Sequence, residues 1–94
     1  MPMEKISLGQ LVSAAAGRDI GQNYVVVGIA SPSSVLVADG RRRSIKQPKK
    51  KNIRHINIFN RIAEDLALKL HNGEQVTDGD IRLALAVLCR PDNT

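Results

Sequence analysis

The sequence predicts a mainly β fold with appended helices: a small five-stranded antiparallel barrel over residues 1–57, then a two-helix hairpin over 58–94. Three observations carry that expectation. Short runs rich in valine and isoleucine, separated by turn signals, fill the front of the chain. From Phe59 onward, apolar residues recur at helical spacing instead. The charge changes sign at the same place. Residues 1–58 hold ten basic and three acidic side chains, net +7, whereas 59–94 hold four basic and six acidic, net −2. A chain of 94 residues with net charge +5 houses one domain, or one domain with an appendage, and no large catalytic fold.

The expected strands are Leu8–Ala14, Gln22–Ala30, Val35–Asp39, Arg42–Gln47 and a short Ile53–Ile56. Turn signals separate them at Gly17 to Gly21, at Ser31-Pro32-Ser33-Ser34, at Asp39-Gly40 and at Gln47-Pro48, where glycine, proline and short polar residues favour reversal. Closing such strands into a barrel removes exposed edges. Behind them, Phe59, Ile62, Ala63, Leu66, Ala67 and Leu70 follow the i, i+3, i+4, i+7 rule, and Gly73 stands where a C-terminal cap belongs. A second helix starts at Thr77, with Asp80 as its capping-box partner and Val76 and Ile81 at hydrophobic-staple spacing. Ile81, Ala84, Leu85 and Leu88 form its apolar face, and Pro91 stops it.

Composition excludes several classes. Tyr24 and Phe59 are the only aromatic residues, too few for recognition that stacks bases on several rings. The single cysteine, Cys89, excludes an internal disulfide framework and multi-cysteine zinc sites, which points to a reducing, cytoplasmic setting. Cys89 is expected to be a small buried or half-buried residue of the second helix. No apolar stretch approaches a membrane span. Ile6 to Ala16 is interrupted by Ser7, Gly9, Gln10 and Ser13, and Glu4 and Lys5 cancel in charge, so the segment is expected to belong to the fold rather than to a leader. His55 and His71 fall on different elements without metal-ligand spacing, and no P-loop or activated-nucleophile motif is present. No catalysis, metal, cofactor, small-molecule substrate or membrane attachment is expected. Tyr24 opens a strand and is expected to pack rather than stack.

The dominant feature is Arg41 to His55, with eight Lys or Arg and no acid. Clustered cations repel one another, so such a run is either a solvated, solubilising face or the docking surface for a polyanion. Three arginines beside three lysines favour the polyanion, because guanidinium groups make bidentate phosphate contacts that solubility does not require. Pro48-Lys49-Lys50-Lys51 also has the pattern of a nuclear import signal. The second feature, Gly17-Arg18-Asp19-Ile20-Gly21, is either an ordinary glycine-bounded hairpin turn or a loop that brings backbone N–H groups and Arg18 to a ligand, with Asp19 holding the turn.

Gly17-Arg18-Asp19-Ile20-Gly21 running into Tyr24-Val25-Val26-Val27-Gly28-Ile29 resembles the KOW motif. Val35 to Arg43 and Lys49 to Ile56 are similar to the corresponding parts of KOW-bearing large-subunit ribosomal proteins of archaea and eukaryotes. They are more similar still to small bacterial KOW-domain RNA-binding proteins. The resemblance covers residues 6–57. It implies an SH3-like five-stranded barrel and binding to ribosomal or other structured RNA. The RNA-facing set it implies is Arg18 with the basic residues around Arg42, Arg43, Lys50, Lys51 and Arg54; with the rest of the basic run, the expected RNA-binding residues are Arg18, Arg41, Arg42, Arg43, Lys46, Lys49, Lys50, Lys51, Arg54 and His55. Gln22 and Asn23 depart from the pattern, since many relatives carry a basic residue just after the second glycine; this shifts the expected affinity from the glycine loop to the basic run. The expected function is therefore non-catalytic RNA binding in association with the ribosome or translation. The alternative is a protein-interaction adaptor of the translation or transcription machinery that uses the barrel or the helical hairpin.

Overall fold

The computed structural model describes residues 6–90. Five strands, β1 (Gln10–Ala14), β2 (Asn23–Ser31), β3 (Ser34–Ala38), β4 (Lys49–Asn52) and β5 (Ile56–Ile62), form one antiparallel sheet in the order β4-β3-β2-β1-β5. A 3-10 turn, Ile53–His55, joins β4 to β5, and helices α1 (Glu64–His71) and α2 (Asp78–Leu88) follow. The expected stop at Pro91 and the charges of Glu4 and Lys5 lie outside the described residues. The sheet is open: among the described residues β4 and β5 each pair on one side only, where the sequence reading expected a closed barrel.

Two expected strands lie elsewhere, and side chains explain why. Residues 42–47 form a loop, because side chains, most of them from outside the segment, take its backbone donors. Asp39 Oδ1 accepts the N–H groups of Arg41 and Arg43, both at 2.9 Å, Asp78 Oδ1 accepts that of Ile45 at 2.7 Å, and Ser44 Oγ that of Lys46 at 3.1 Å. The fourth strand is instead Lys49–Asn52. Ile53–His55 is a 3-10 turn because the Asn52 side chain caps it, accepting the Arg54 N–H at 2.8 Å. The last strand then runs to Ile62, past the boundary expected at residue 57, and α1 begins only at Glu64. Phe59 and Ile62 match a helical period by coincidence; the alternation within Ile56–Ile62 answers the free edge of β1.

The three-residue turn constrains the whole sheet. The edges of a flat five-stranded sheet lie about 19 Å apart, four strand spacings, whereas three 3-10 residues advance about 6 Å. The sheet therefore curls so that the corner meets both sides: the Ile53 N–H donates to the Ser33 carbonyl at 2.9 Å beside β3, and the Ala15 N–H donates to the His55 carbonyl at 2.8 Å, continuing the pairing of β1 with β5. Irregular registers in β2 beside Gly28 and in β1 beside Gln10 supply the bending. Inside the curl, Val12, Ala14, Tyr24, Val26, Val35, Val37 and Ile56 form a core, with Ile53 and Ile58 packed against it.

The opposite face of the sheet is covered by the helices. Leu11, Val25 and Ala38 pack with Leu66, Ile81 and Leu88, and Ile45 of the basic loop and Val76 join them. The capping box at Thr77 and Asp80 forms as the sequence predicts. So does the cap at Gly73: the Glu74 N–H bonds the Lys69 carbonyl at 2.9 Å and the Gly73 N–H bonds that of Leu70 at 3.3 Å. Each helix start meets backbone just outside a strand at a glycine. A Cβ on Gly9 would stand 2.8 Å from the Ala63 carbonyl oxygen, and one on Gly40 would stand 2.6 Å from that of Asp78.

Gly40 combines that approach with a φ of +77°. Replacing it with alanine costs the left-handed strain of about 1–2 kcal/mol plus a clash of about 1–3 kcal/mol. Gly21→Ala, where φ is +89° and nothing stands within 4 Å of the added atom, costs the strain alone. Urea unfolding of the two variants should show Gly40→Ala as clearly the weaker; equal losses would contradict the described contact between α2 and the loop.

Candidate nucleic-acid interface

The basic run does not form one continuous patch, because β-strand alternation and the curl divide it. Lys49 and Lys51 point to the inner side of β4, Lys50 points out. Curling brings the glycine loop over that inner side, so Asp19 meets both lysines. Lys51 Nζ lies 3.0 Å from Asp19 Oδ1 with its side chain only 8% exposed, and Lys49 Nζ lies 3.1 Å from Asp19 Oδ2. Lys51 Nζ also reaches the Ala16 carbonyl at 3.5 Å. Tyr24, buried in the core as expected, donates its hydroxyl to Asp19 Oδ2 at 2.6 Å. Asp19 thus holds the loop by binding the side chains of Tyr24, Lys49 and Lys51.

These contacts set the protonation states. The Tyr24 hydroxyl, reinforced by Lys51 and Lys49 and opposed by partial burial, holds the Asp19 carboxyl well below the usual carboxylate range. Burial, and then the hydrogen bond to Asp19, pushes the Tyr24 phenol above its ordinary range. Lys51 therefore sits in a buried ion pair, turned away from any external polyanion, and Lys49 is partly committed to the same acid.

The remaining cations are differently placed. Arg41, Arg42, Arg43 and Lys46 are exposed on the loop before β4, Lys50 on β4, and Arg54 and His55 on the 3-10 turn; Arg18 is exposed on the glycine loop. Among the described residues, no carboxylate pairs with any of them. The loop that carries four of these is held from behind. Ser44 Oγ donates to Asp78 Oδ2 at 2.7 Å, the Arg82 guanidinium donates to the Gly40 carbonyl at 2.7 Å, and Gln22 Nε2 donates to Asp39 Oδ2 at 3.0 Å. The N–H of Ile45, followed by the Ser44 hydroxyl, holds the Asp78 carboxyl below its usual range. Gln22 thus braces the turn that starts the basic loop.

Asp19, Asp78 and Arg82 were not among the residues that sequence reasoning singled out for the interface. The available signals were Lys-Lys-Lys at a strand position, which alternation must split, and one acid between the two glycines. Cys89 also differs from expectation: it is the exposed C-cap residue of α2, not a packed one. His55 and His71 are both exposed, and among the described residues no group of three His, Cys, Asp or Glu is arranged to hold a metal. No described helix is long and apolar enough to cross a membrane.

No family model matches the chain. Among curated proteins, it is 35% identical over 54 residues to a protein of Bacillus subtilis (strain 168) named "Putative ribosome-binding protein YbzG"; the match spans 57% of this chain and 73% of the relative.

Asp19→Ala leaves Lys51 buried without its partner and should destabilise the fold by about 3–5 kcal/mol. Lys51→Met removes the buried charge while Asp19 keeps Lys49 and Tyr24, and should cost about 1 kcal/mol or less. Because the Asp19 pKa is depressed in the folded state, its contribution is fully present above the unfolded value near pH 4 and is lost as pH falls below it. Urea melts between about pH 6 and pH 3 should therefore fall more steeply for the wild type than for Asp19→Asn. Parallel slopes would contradict the role given to Asp19.

Proposed function

The chain belongs to the family of this Bacillus subtilis relative, and from that premise we propose that it is a non-catalytic, cytoplasmic RNA-binding protein that associates with the ribosome. The observation that carries this reading is the set Arg41, Arg42, Arg43, Lys46, Lys50 and Arg54, exposed and unpaired by carboxylates among the described residues. The site suits structured RNA: guanidinium groups take phosphates bidentately, the exposed set offers no stacking aromatic ring, and recognition proceeds through backbone and shape. Arg18 and His55 flank this surface; Lys49 contributes only its partly committed charge, and Lys51 acts through the fold.

The finer family reading rests on two supports. One is the Gly17 to Ile29 stretch with its resemblance to the KOW motif. The other is a curled five-stranded sheet whose edges are joined by a 3-10 turn, an arrangement similar to an SH3-like barrel. The domain division is proposed accordingly: a barrel-like sheet carries the RNA surface, and a two-helix appendage braces its loop.

Counterion release predicts that affinity for purified ribosomal RNA falls with salt at a log–log slope of about −4 or steeper if five or six phosphates are engaged. The triple variant Arg42→Gln, Arg43→Gln, Lys50→Gln should flatten that slope by about 2 and shift the protein from the ribosome pellet to the supernatant on sedimentation. Unchanged retention of both RNA and ribosomes would sink this reading and favour an adaptor that works through protein contacts.

A further inference from the structure

Four of the large apolar side chains that remain exposed, Ile62, Leu68, Leu83 and Val87, converge on one groove between α1, α2 and the end of β5. Leu68 is 60% exposed, Leu83 66% and Val87 50%. The fold does not need these residues for its own core, since the same helices already bury Leu66, Ile81 and Leu88 against the sheet. A helix hairpin of this length thus has two apolar faces, one used and one open. The groove has a volume of about 800 Å³ and a mainly apolar lining.

Its rim is acidic. Among the described residues, Glu64, Asp65, Glu74 and Asp80 line the groove against a single cation, Lys69, whose ammonium lies 3.8 Å from Asp80. Arg61, on β5, directs its guanidinium to the carbonyls of Leu88 and Arg90. Such a rim repels a polyanion, so this surface does not extend the proposed RNA face. It also opposes a symmetric dimer, which would set one acidic rim against its copy.

We propose that this groove docks a basic amphipathic helix of a partner protein, with apolar anchors seated between α1 and α2 and Lys or Arg flanks meeting the carboxylates. A third helix laid into the groove completes a helical layer over open apolar side chains, the helix-in-groove mode of recognition. Charge complementarity selects basic partners and excludes acidic ones. This inference concerns a different face from the basic loop and stands independently of the RNA reading.

The test is a selection from a displayed library of random peptides of about 16 residues, long enough for four helical turns, against the immobilised full chain. Clones that also bind the Leu68→Ser/Leu83→Ser variant are discarded; both residues are exposed, so the variant keeps its fold, checked by circular dichroism. The expected survivors place Leu, Ile or Phe at i, i+3, i+4 and i+7 and are rich in Lys and Arg. Synthesised, they should bind the wild type at least about tenfold more tightly than the double variant. They should lose a further tenfold or so against Glu64→Lys/Asp65→Lys/Glu74→Lys. A Val87→Ser variant gives the same comparison should the double variant unfold. Neutral or acidic survivors, absence of groove-dependent clones, or binding insensitive to the charge reversals would overturn the proposal. So would a dimer in light scattering that the double variant loses, which would assign the groove to a second copy. Retention of ribosomal RNA by the double variant, equal to wild type, keeps the outcome separate from that of the basic face.

Discussion

The geometry of this protein depends on a three-residue corner. Because β4 and β5 are the two edges of the sheet and only Ile53–His55 separates them, the sheet must curl, and the other features follow from the curl. It encloses Val12, Val26 and Val37 without a second layer. It also carries the glycine loop over β4, so that one carboxylate meets two lysines and a buried tyrosine hydroxyl. That knot of side chains fastens what the corner brings together. A buried pair of this kind is weak as a source of net stability but strict about geometry, since an unmatched charge left inside is costly.

The electrostatics are sharper than the overall charge suggests. The front of the chain carries the excess of cations, yet Asp19 takes two of them inward, leaving the exposed set on the loop before β4, on the outer side of that strand and on the corner. On the other side, the helices expose carboxylates around an apolar groove. A molecule with one basic face and one acidic groove presents opposite selection rules to its surroundings, and neither surface suits the other's partner.

Much of this was legible in the sequence. Val-rich runs between turn signals gave β2 and β3, the Ser31 to Ser34 signal gave their hairpin, and Thr77 with Asp80 and Gly73 marked the helix ends, because caps and turns are decided by local chemistry. The errors fell where tertiary contacts overrode local preference. Arg42–Gln47 reads as a strand, but Asp39 and Asp78 capture its N–H groups from outside the segment. Phe59 and Ile62 fit a helical period, but the edge of β1 takes them as a strand. At the candidate interface, the cations were visible and their division was not: which two lysines of three turn inward depends on strand register and on an acid 30 or more residues earlier.

Helix α2 connects the two surfaces. Its N-terminal end holds the basic loop through Asp78 and Arg82, and Leu83 and Val87, further along, wall the groove. Ordering a loop residue costs about 1–2 kcal/mol of backbone entropy, and here the helix meets that cost before any ligand arrives. Thermodynamic linkage then runs in both directions: a ligand that needs the loop in this shape tightens α2 on the sheet, and an occupant that displaces α2 loosens the loop. The two faces are mechanically in series through eleven residues of helix.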